Sequence, residues 1–455
     1  MSLLEALRDS KQKRLDELFT FLRFPSVSAQ SKHAADIRKC ADWLRGRLSG
    51  MGLKCQIMET AGHPVVYAEK IVDLNKPTVL IYGHYDVQPP EPFELWRSGP
   101  FSPTLENGSI VARGSTDDKG QIYAHIAAVE THLTTTGTLP LNVKLMIEGE
   151  EEISSANLPG FIEKHRDLLK ADIVVVSDGS QYAPGQPSVT HGLRGLVFIE
   201  IKVTGPNRDV HSGSFGGIIN NPLNALCKIV AGLKDADNRV TVEGFYNDVL
   251  PTTDFEKRMW AKLPTDDRKF AGELGVPELV GESGFSTLER IWRRPTLDLN
   301  GITGGYQGEG AKTIIPSWAT CKITMRLVPN QYPKKIMKAA SAKIEALSPK
   351  GVTVEVFEHD GVPAVETPTD GPWLEAAGRA LKTGFGVDPV FMKEGGSIPV
   401  VQVFKEKLGL DTLLIGFGQK DDGAHSPNER FRCEDFENGC RTATALLSEL
   451  GAVKR

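Results

Sequence analysis

The six cysteines of this 455-residue chain, Cys40, Cys55, Cys227, Cys321, Cys433 and Cys440, are scattered and form no Cys-x-x-Cys pair. Such spacing argues against a thiolate zinc site and against a disulfide framework, so reduced cysteines in a cytoplasmic protein are expected. Equally missing is any apolar run approaching the ~20 residues that a membrane helix needs. The stretch Met1 to Arg14 is polar and mixed in charge, the wrong pattern for a secretory signal. A basic excess is absent too: 53 Lys and Arg stand against 58 Asp and Glu, a formal net charge of −5. A nucleic-acid partner or an anionic membrane surface would need the opposite balance, and neither is expected.

What is present suits a globular protein of more than one core. A length of 455 residues is too great for one ordinary domain, and 40% apolar with 24% charged residues is the composition of a packed chain. Leu15, Leu18 and Leu22 mark a helix that stops before Pro25. Ile37, Ala41, Leu44 and Leu48 mark a second, closed by Gly50 and Gly52. β-rich runs follow at Thr78–Tyr82, Val143–Ile147 and Ile173–Val176. Helical patterns at Gly120–Leu133 and Leu158–Leu169 join them. That alternation predicts a mostly parallel α/β sheet flanked by helices. After Gly195 the pattern changes to an alternating strand (196–203), a helix (222–233) and a strand-like run at 320–328. It then returns to a helix (373–383) and a buried strand, Thr412–Ile415. The expected organisation is a discontinuous catalytic domain, 1–197 and 369–455, with an α/β block, 198–368, inserted into it. Pro368 to Pro372, in the loop that begins at Thr367, is the expected second crossing.

The chemistry gathers at the strand ends. The first strand runs into Gly83-His84-Tyr85-Asp86 and the second into Glu148-Gly149-Glu150-Glu151-Glu152. The third runs into Ser177-Asp178-Gly179, and the late strand is followed by Asp421-Asp422-Gly423-Ala424-His425. Open parallel sheets bind ligands beyond the carboxyl ends of their strands, so histidines and carboxylates from four segments meet at one edge. Asp117 joins them from the start of a helix. Mixed imidazole and carboxylate donors suit zinc, manganese or cobalt, and their number fits two cations sharing a bridge.

Taken with their order and spacing, these blocks resemble the metallopeptidases that include carnosinase-type dipeptidases, carboxypeptidase G2 and succinyl-diaminopimelate desuccinylase. Further matching blocks are Arg113-Gly114-Ser115-Thr116-Asp117-Asp118-Lys119-Gly120, Gly192-Leu193-Arg194-Gly195, Asp209-Val210-His211-Ser212-Gly213, Glu394-Gly395-Gly396-Ser397-Ile398-Pro399 and Asp422-Gly423-Ala424-His425-Ser426. The forms around Asp117 and Ser397 are similar to the carnosinase-like dipeptidase branch.

The resemblance implies two divalent ions, Zn2+ or Mn2+, bridged by Asp117. His84 and Asp178 would complete one site, and Glu152 and His425 the other. Asp86 would hold the His84 ring, and Glu151 would be general base and acid for a water between the ions. The inserted block would be a lid and dimerisation domain. Its His211 would reach the neighbouring subunit's site to stabilise the oxyanion, in a homodimer. Arg326 would clamp the substrate carboxylate, with Thr313, Ser397 and His425 as further substrate contacts. A cis peptide bond is implied between Asp117 and Asp118. The substrate would be a small peptide, a dipeptide in first place. An N-acyl amino acid is the alternative, and a non-catalytic binding protein on this fold is a third reading. Gly310-Ala311-Lys312-Thr313 is not a phosphate loop, because Ala311 separates the glycine from the lysine.

Overall fold

The computed structural model describes residues 1–263, 265–396 and 398–454. The chain divides into two compact units. One comprises Met1–His191, Thr367–Met392 and Pro399–Arg455, the other Gly192–Glu366 and Lys393–Ile398.

The first unit is built on a sheet of β1 (Lys54–Met58), β2 (Val65–Lys70), β3 (Thr78–His84), β4 (Asn142–Glu148), β5 (Ile173–Val176), β6 (Ser188–Leu193, of which the first four residues belong to this unit) and β7 (Thr412–Leu414). In space these strands run β1-β2-β4-β3-β5-β7-β6. The centre is parallel, with β3 paired to β4 and to β5, and β7 to β5. The outer pairs β1–β2, β2–β4 and β7–β6 are antiparallel. Every residue of β3, β4 and β5 is buried, which is why these runs are largely apolar rather than alternating. Lys144 within β4 is an exception, its Nζ donating to the carbonyl oxygens of Leu168 and Lys170. Helix α1 (Lys119–Thr136) enters the same core and is buried on nearly all sides over its first three turns. Its first turn demands glycine at position 120, where a Cβ would stand 1.9 Å from the Ser115 carbonyl oxygen. The C-terminal helix α2 (Cys433–Gly451) adds Leu446, Leu447 and Leu450 to the core. Each such leucine contributes about 1.5–3 kcal/mol relative to exposure.

The second unit holds a four-stranded antiparallel sheet ordered Thr296–Gly304, Trp318–Leu327, Gly195–Thr204 and Thr353–Val362. Gly195–Thr204 alternates strictly between buried and half-buried positions, the mark of a sheet with one covered face. Val197, Ile199, Ile201 and Val203 pack against Leu226 and Ile229 of one helix and Ile336 and Ile344 of another. Thr296–Gly304 is an edge strand, exposed from Asp298 to Thr303.

Two expected boundaries differ from this division. A cut at 197/198 would split the continuous strand Gly195–Thr204. Lys393–Ile398, expected with the first unit, groups with the second, where the buried Lys393 ammonium lies 2.8 Å from Glu256 and also meets Glu366. The helix expected over Leu158–Leu169 is interrupted at His165 into Leu158–Lys164 and Arg166–Leu169. Among the described residues, no helix is long and apolar enough to cross a membrane.

Candidate metal centre

β3, β4, β5 and β7 run in one direction, so the segments that follow them leave the sheet at a common edge. His84 is the last residue of β3, and Asp86 lies two residues on. Glu151 and Glu152 open a 3-10 turn just past β4, and Asp178 follows β5. His425 sits beyond β7 with a left-handed backbone, φ 63°. Asp117 precedes α1, and the Asp117–Asp118 peptide bond is cis, as the resemblance implied. Gly83 lets this turn approach the strand: a Cβ there would lie 2.7 Å from the Asp118 carboxylate.

Two groups of donor atoms result, each spanning no more than 4.8 Å: His84 with Asp117 and Asp178, and Asp117 with Glu152 and His425. Asp117 belongs to both. Its Oδ1 lies 3.1 Å from His84 Nε2, and its Oδ2 lies 2.9 Å from His425 Nε2. Asp178 Oδ2 is 3.9 Å from His84 Nε2, and Glu152 Oε2 is 3.3 Å from His425 Nε2. Donors held about 2.0–2.2 Å from a cation lie at most roughly 4.4 Å apart, so each group needs little adjustment to close on one ion.

The electrostatics point the same way. Burial disfavours charge on Asp117, but hydrogen bonds from His425 and His84 hold its carboxyl well below the usual range. Burial opposes protonation of His84, yet Asp117 and Asp86 push it well up. Asp117 and Glu152 push His425 up to about 10. Gathered carboxylates here demand positive charge, and a divalent cation can supply it in place of the imidazole protons. The donor set therefore fits a divalent cation.

Glu151 is pushed well above the ordinary range by burial and by Asp178, Asp117 and Glu152, with His84 opposing. Its backbone N–H donates to Asp86 Oδ1 at 3.2 Å, and that of Glu152 donates to Asp86 Oδ2 at 3.1 Å. His84 Nδ1 is nearer the Asp86 carbonyl oxygen (3.0 Å) than its Oδ1 (3.4 Å). Asp86 thus steadies the His84 ring through its main chain, while its carboxylate holds the Glu151–Glu152 turn.

The remaining candidates lie in the second unit, apart from Ser397, which is outside the described residues. His211 is exposed in a two-residue strand paired with Ile314–Ile315, and its Nδ1 accepts from Gly213 N at 3.0 Å. When neutral, its proton therefore sits on Nε2, a donor. Thr313 is next to it: the carbonyl oxygen of Thr313 accepts from Ser212 N at 3.0 Å. Arg326 is half-buried, and burial lowers its pKa against the pull of Asp298.

Several contributors carried no role in the sequence reading. Gln88 Nε2 donates to Glu152 Oε2 at 2.8 Å. Asp422 accepts from Thr116 Oγ1 at 3.3 Å and from Arg432 at 2.6 Å. Glu429 accepts from several donors of the Asp117 loop. Arg194 stands near enough to Arg326 that burial and that second charge bring it down to about 10. Gln88, Asp422 and Arg194 fall inside or beside the blocks quoted above, but nothing local marks their partners.

Comparison with known proteins agrees with this chemistry. Residues 80–449 match the profile of peptidase family M20/M25/M40. The Cys-Gly metallodipeptidase DUG1 of Candida albicans is 33% identical over 99% of this chain and 97% of its own length. The M20 family metallo-carboxypeptidase Sso-CP2 from Sulfolobus solfataricus superposes with a TM-score of 0.85 at 35% identity, covering 97% of this chain and 99% of that one. Human carnosine dipeptidase 1 superposes with a TM-score of 0.84 at 28% identity, over 99% and 98%.

Proposed function

The chain belongs to peptidase family M20/M25/M40, and on that premise we propose that it hydrolyses the peptide bond of dipeptides with two divalent ions, Zn2+ or Mn2+. The observation that carries this reading is Asp117, whose two carboxylate oxygens face the two histidines of two overlapping donor groups. His84 and Asp178 would hold one ion, Glu152 and His425 the other, with Asp117 common to both. Once bound, the ions supply Lewis acidity and a water acidified toward neutral pH. Glu151 would take the proton of that water and return it to the leaving amine. Arg326 would clamp the substrate carboxylate, and His211 would donate through Nε2 to the oxyanion. Thr313, Ser397 and His425 would make the further substrate contacts. The relatives named for dipeptides support the dipeptide reading, and the six unpaired cysteines support a cytoplasmic setting.

The test is a panel of Cys-Gly, carnosine and other dipeptides, longer peptides and N-acyl amino acids, assayed with Zn2+ or Mn2+ and with a chelator. Chelator-sensitive turnover confined to dipeptides is expected. Release of C-terminal residues from long peptides would instead favour the carboxypeptidase activity named for the Sulfolobus relative. Preference for N-acyl amino acids would favour the amide-hydrolase alternative.

A homodimer with shared active sites belongs to the same reading. The edge strand Thr296–Gly304 exposes Leu299 and Ile302, and Trp318 of the adjoining strand is exposed as well. Unpaired strand edges with apolar side chains are natural templates for a second chain. Mixing His211→Ala with Glu151→Ala protein tests whether His211 serves a partner's site. After random exchange of equal amounts, half of the dimers are mixed and each has one intact site, so roughly a quarter of wild-type activity should return. Activity that stays at background after verified exchange would assign His211 to its own subunit.

A further inference from the structure

The segment from Arg113 to Asp117 presents the shared carboxylate, yet it is a run of turns and bends with no ladder or helix to satisfy its backbone. Buried N–H groups in such a loop require acceptors from elsewhere. Arg113 N finds the Pro100 carbonyl oxygen and Ser115 N that of Ala112, and for the other three a single buried side chain provides the acceptors. Glu429 Oε2 accepts from Gly114 N at 2.9 Å and from Arg113 Nη1 at 2.7 Å. Its Oε1 accepts from Thr116 N at 3.0 Å and from Asp117 N at 3.1 Å. Its own carbonyl oxygen accepts from Ala112 N at 3.1 Å. Glu429 is fully buried, and it stands four residues after His425 on the same loop. A second carboxylate, Asp422, ties Thr116 Oγ1 to the other side of that loop.

We propose that Glu429 is a positioning residue of the metal centre, holding the Asp117 loop in register with the His425 loop so that one carboxylate can serve both ions. This rests on the two-metal reading given above. A buried salt bridge to Arg113 alone would need one oxygen. Here three turn positions, Gly114, Thr116 and Asp117 itself, are pinned by the two oxygens together. The carboxylate is required because only it offers acceptors on both oxygens. In Glu429→Gln, an amide NH2 would face backbone donors on one side. In Glu429→Asp, the charge opposite Arg113 remains, but both oxygens withdraw by about one bond length, ~1.5 Å.

The experiment compares metal-free wild type, Glu429→Gln and Glu429→Asp. Far-UV circular dichroism and thermal melting report the fold. Calorimetric titration with Mn2+ and the visible spectrum of the Co2+ form report the centre. Both variants are expected to bind the ions roughly 10- to 100-fold more weakly and to change the Co2+ spectrum, as losing a partner that orients metal ligands typically does. Glu429→Asp keeps Arg113 paired, so it serves if the Gln protein does not fold. A folded variant with wild-type affinity for both ions and a wild-type Co2+ spectrum overturns the inference and leaves the two-metal reading standing. A wild type that binds fewer than two ions overturns both.

Discussion

Glu151→Gln is expected to lower kcat by about 10²- to 10⁴-fold, the range that a positioned general base contributes. Metal content should remain that of the wild type. The reason is the division of labour within one turn. Glu152 Oε2 faces His425 Nε2 at 3.3 Å and is further held by Gln88. Glu151 belongs to neither donor group, yet three of the carboxylates in those groups act to raise its proton affinity. The glutamine side chain is nearly isosteric, and the Asp86 bonds to this turn come from backbone N–H groups that the substitution leaves in place. Steady-state kinetics paired with elemental analysis decide the matter. Turnover within a few-fold of wild type would remove Glu151 from the proton path, and loss of an ion would make it a ligand.

Asp117→Asn should be the more damaging change. An amide offers one good oxygen donor and no charge, so it cannot face both histidines as the carboxylate does. The protein should retain at most one ion, and hydrolysis should fall to background. A catalytic cation is worth several kcal/mol of transition-state stabilisation, which corresponds to roughly 10³-fold or more. His84→Ala and His425→Ala, each touching one donor group, should each weaken one ion selectively. Elemental analysis that still finds two ions per chain in Asp117→Asn would refute the shared bridge.

The sequence made the centre of the first unit readable because burial on both faces leaves few polar positions. Thr78–Tyr82, Val143–Ile147 and Ile173–Val176 therefore stand out as unbroken β-rich runs. It was less informative at β1, whose polar Lys54 and Gln56 belong to an exposed outer strand. It also passed over α2, where Arg432-Cys433-Glu434-Asp435 offers no conventional N-cap hydrogen bond. Glu429 is the clearest omission at the site. A glutamate in a Pro-Asn-Glu-Arg stretch reads as a solvated loop charge, and nothing local reveals that it is fully buried.

The sequence by itself determined the family, the α/β class with a parallel centre, and the identity of the side chains that converge at the strand ends. Those features are local: apolar period, strand-end position and short motifs of fixed spacing are written within a few residues of one another. Only the tertiary structure decided which oxygen of Asp117 faces which histidine and that Asp86 grips the Glu151–Glu152 turn. It alone also shows Glu429 reaching across more than 300 positions to the loop at Gly114. Such contacts depend on how distant segments pack, and hydrogen bonds formed across that separation leave no periodic trace in the chain.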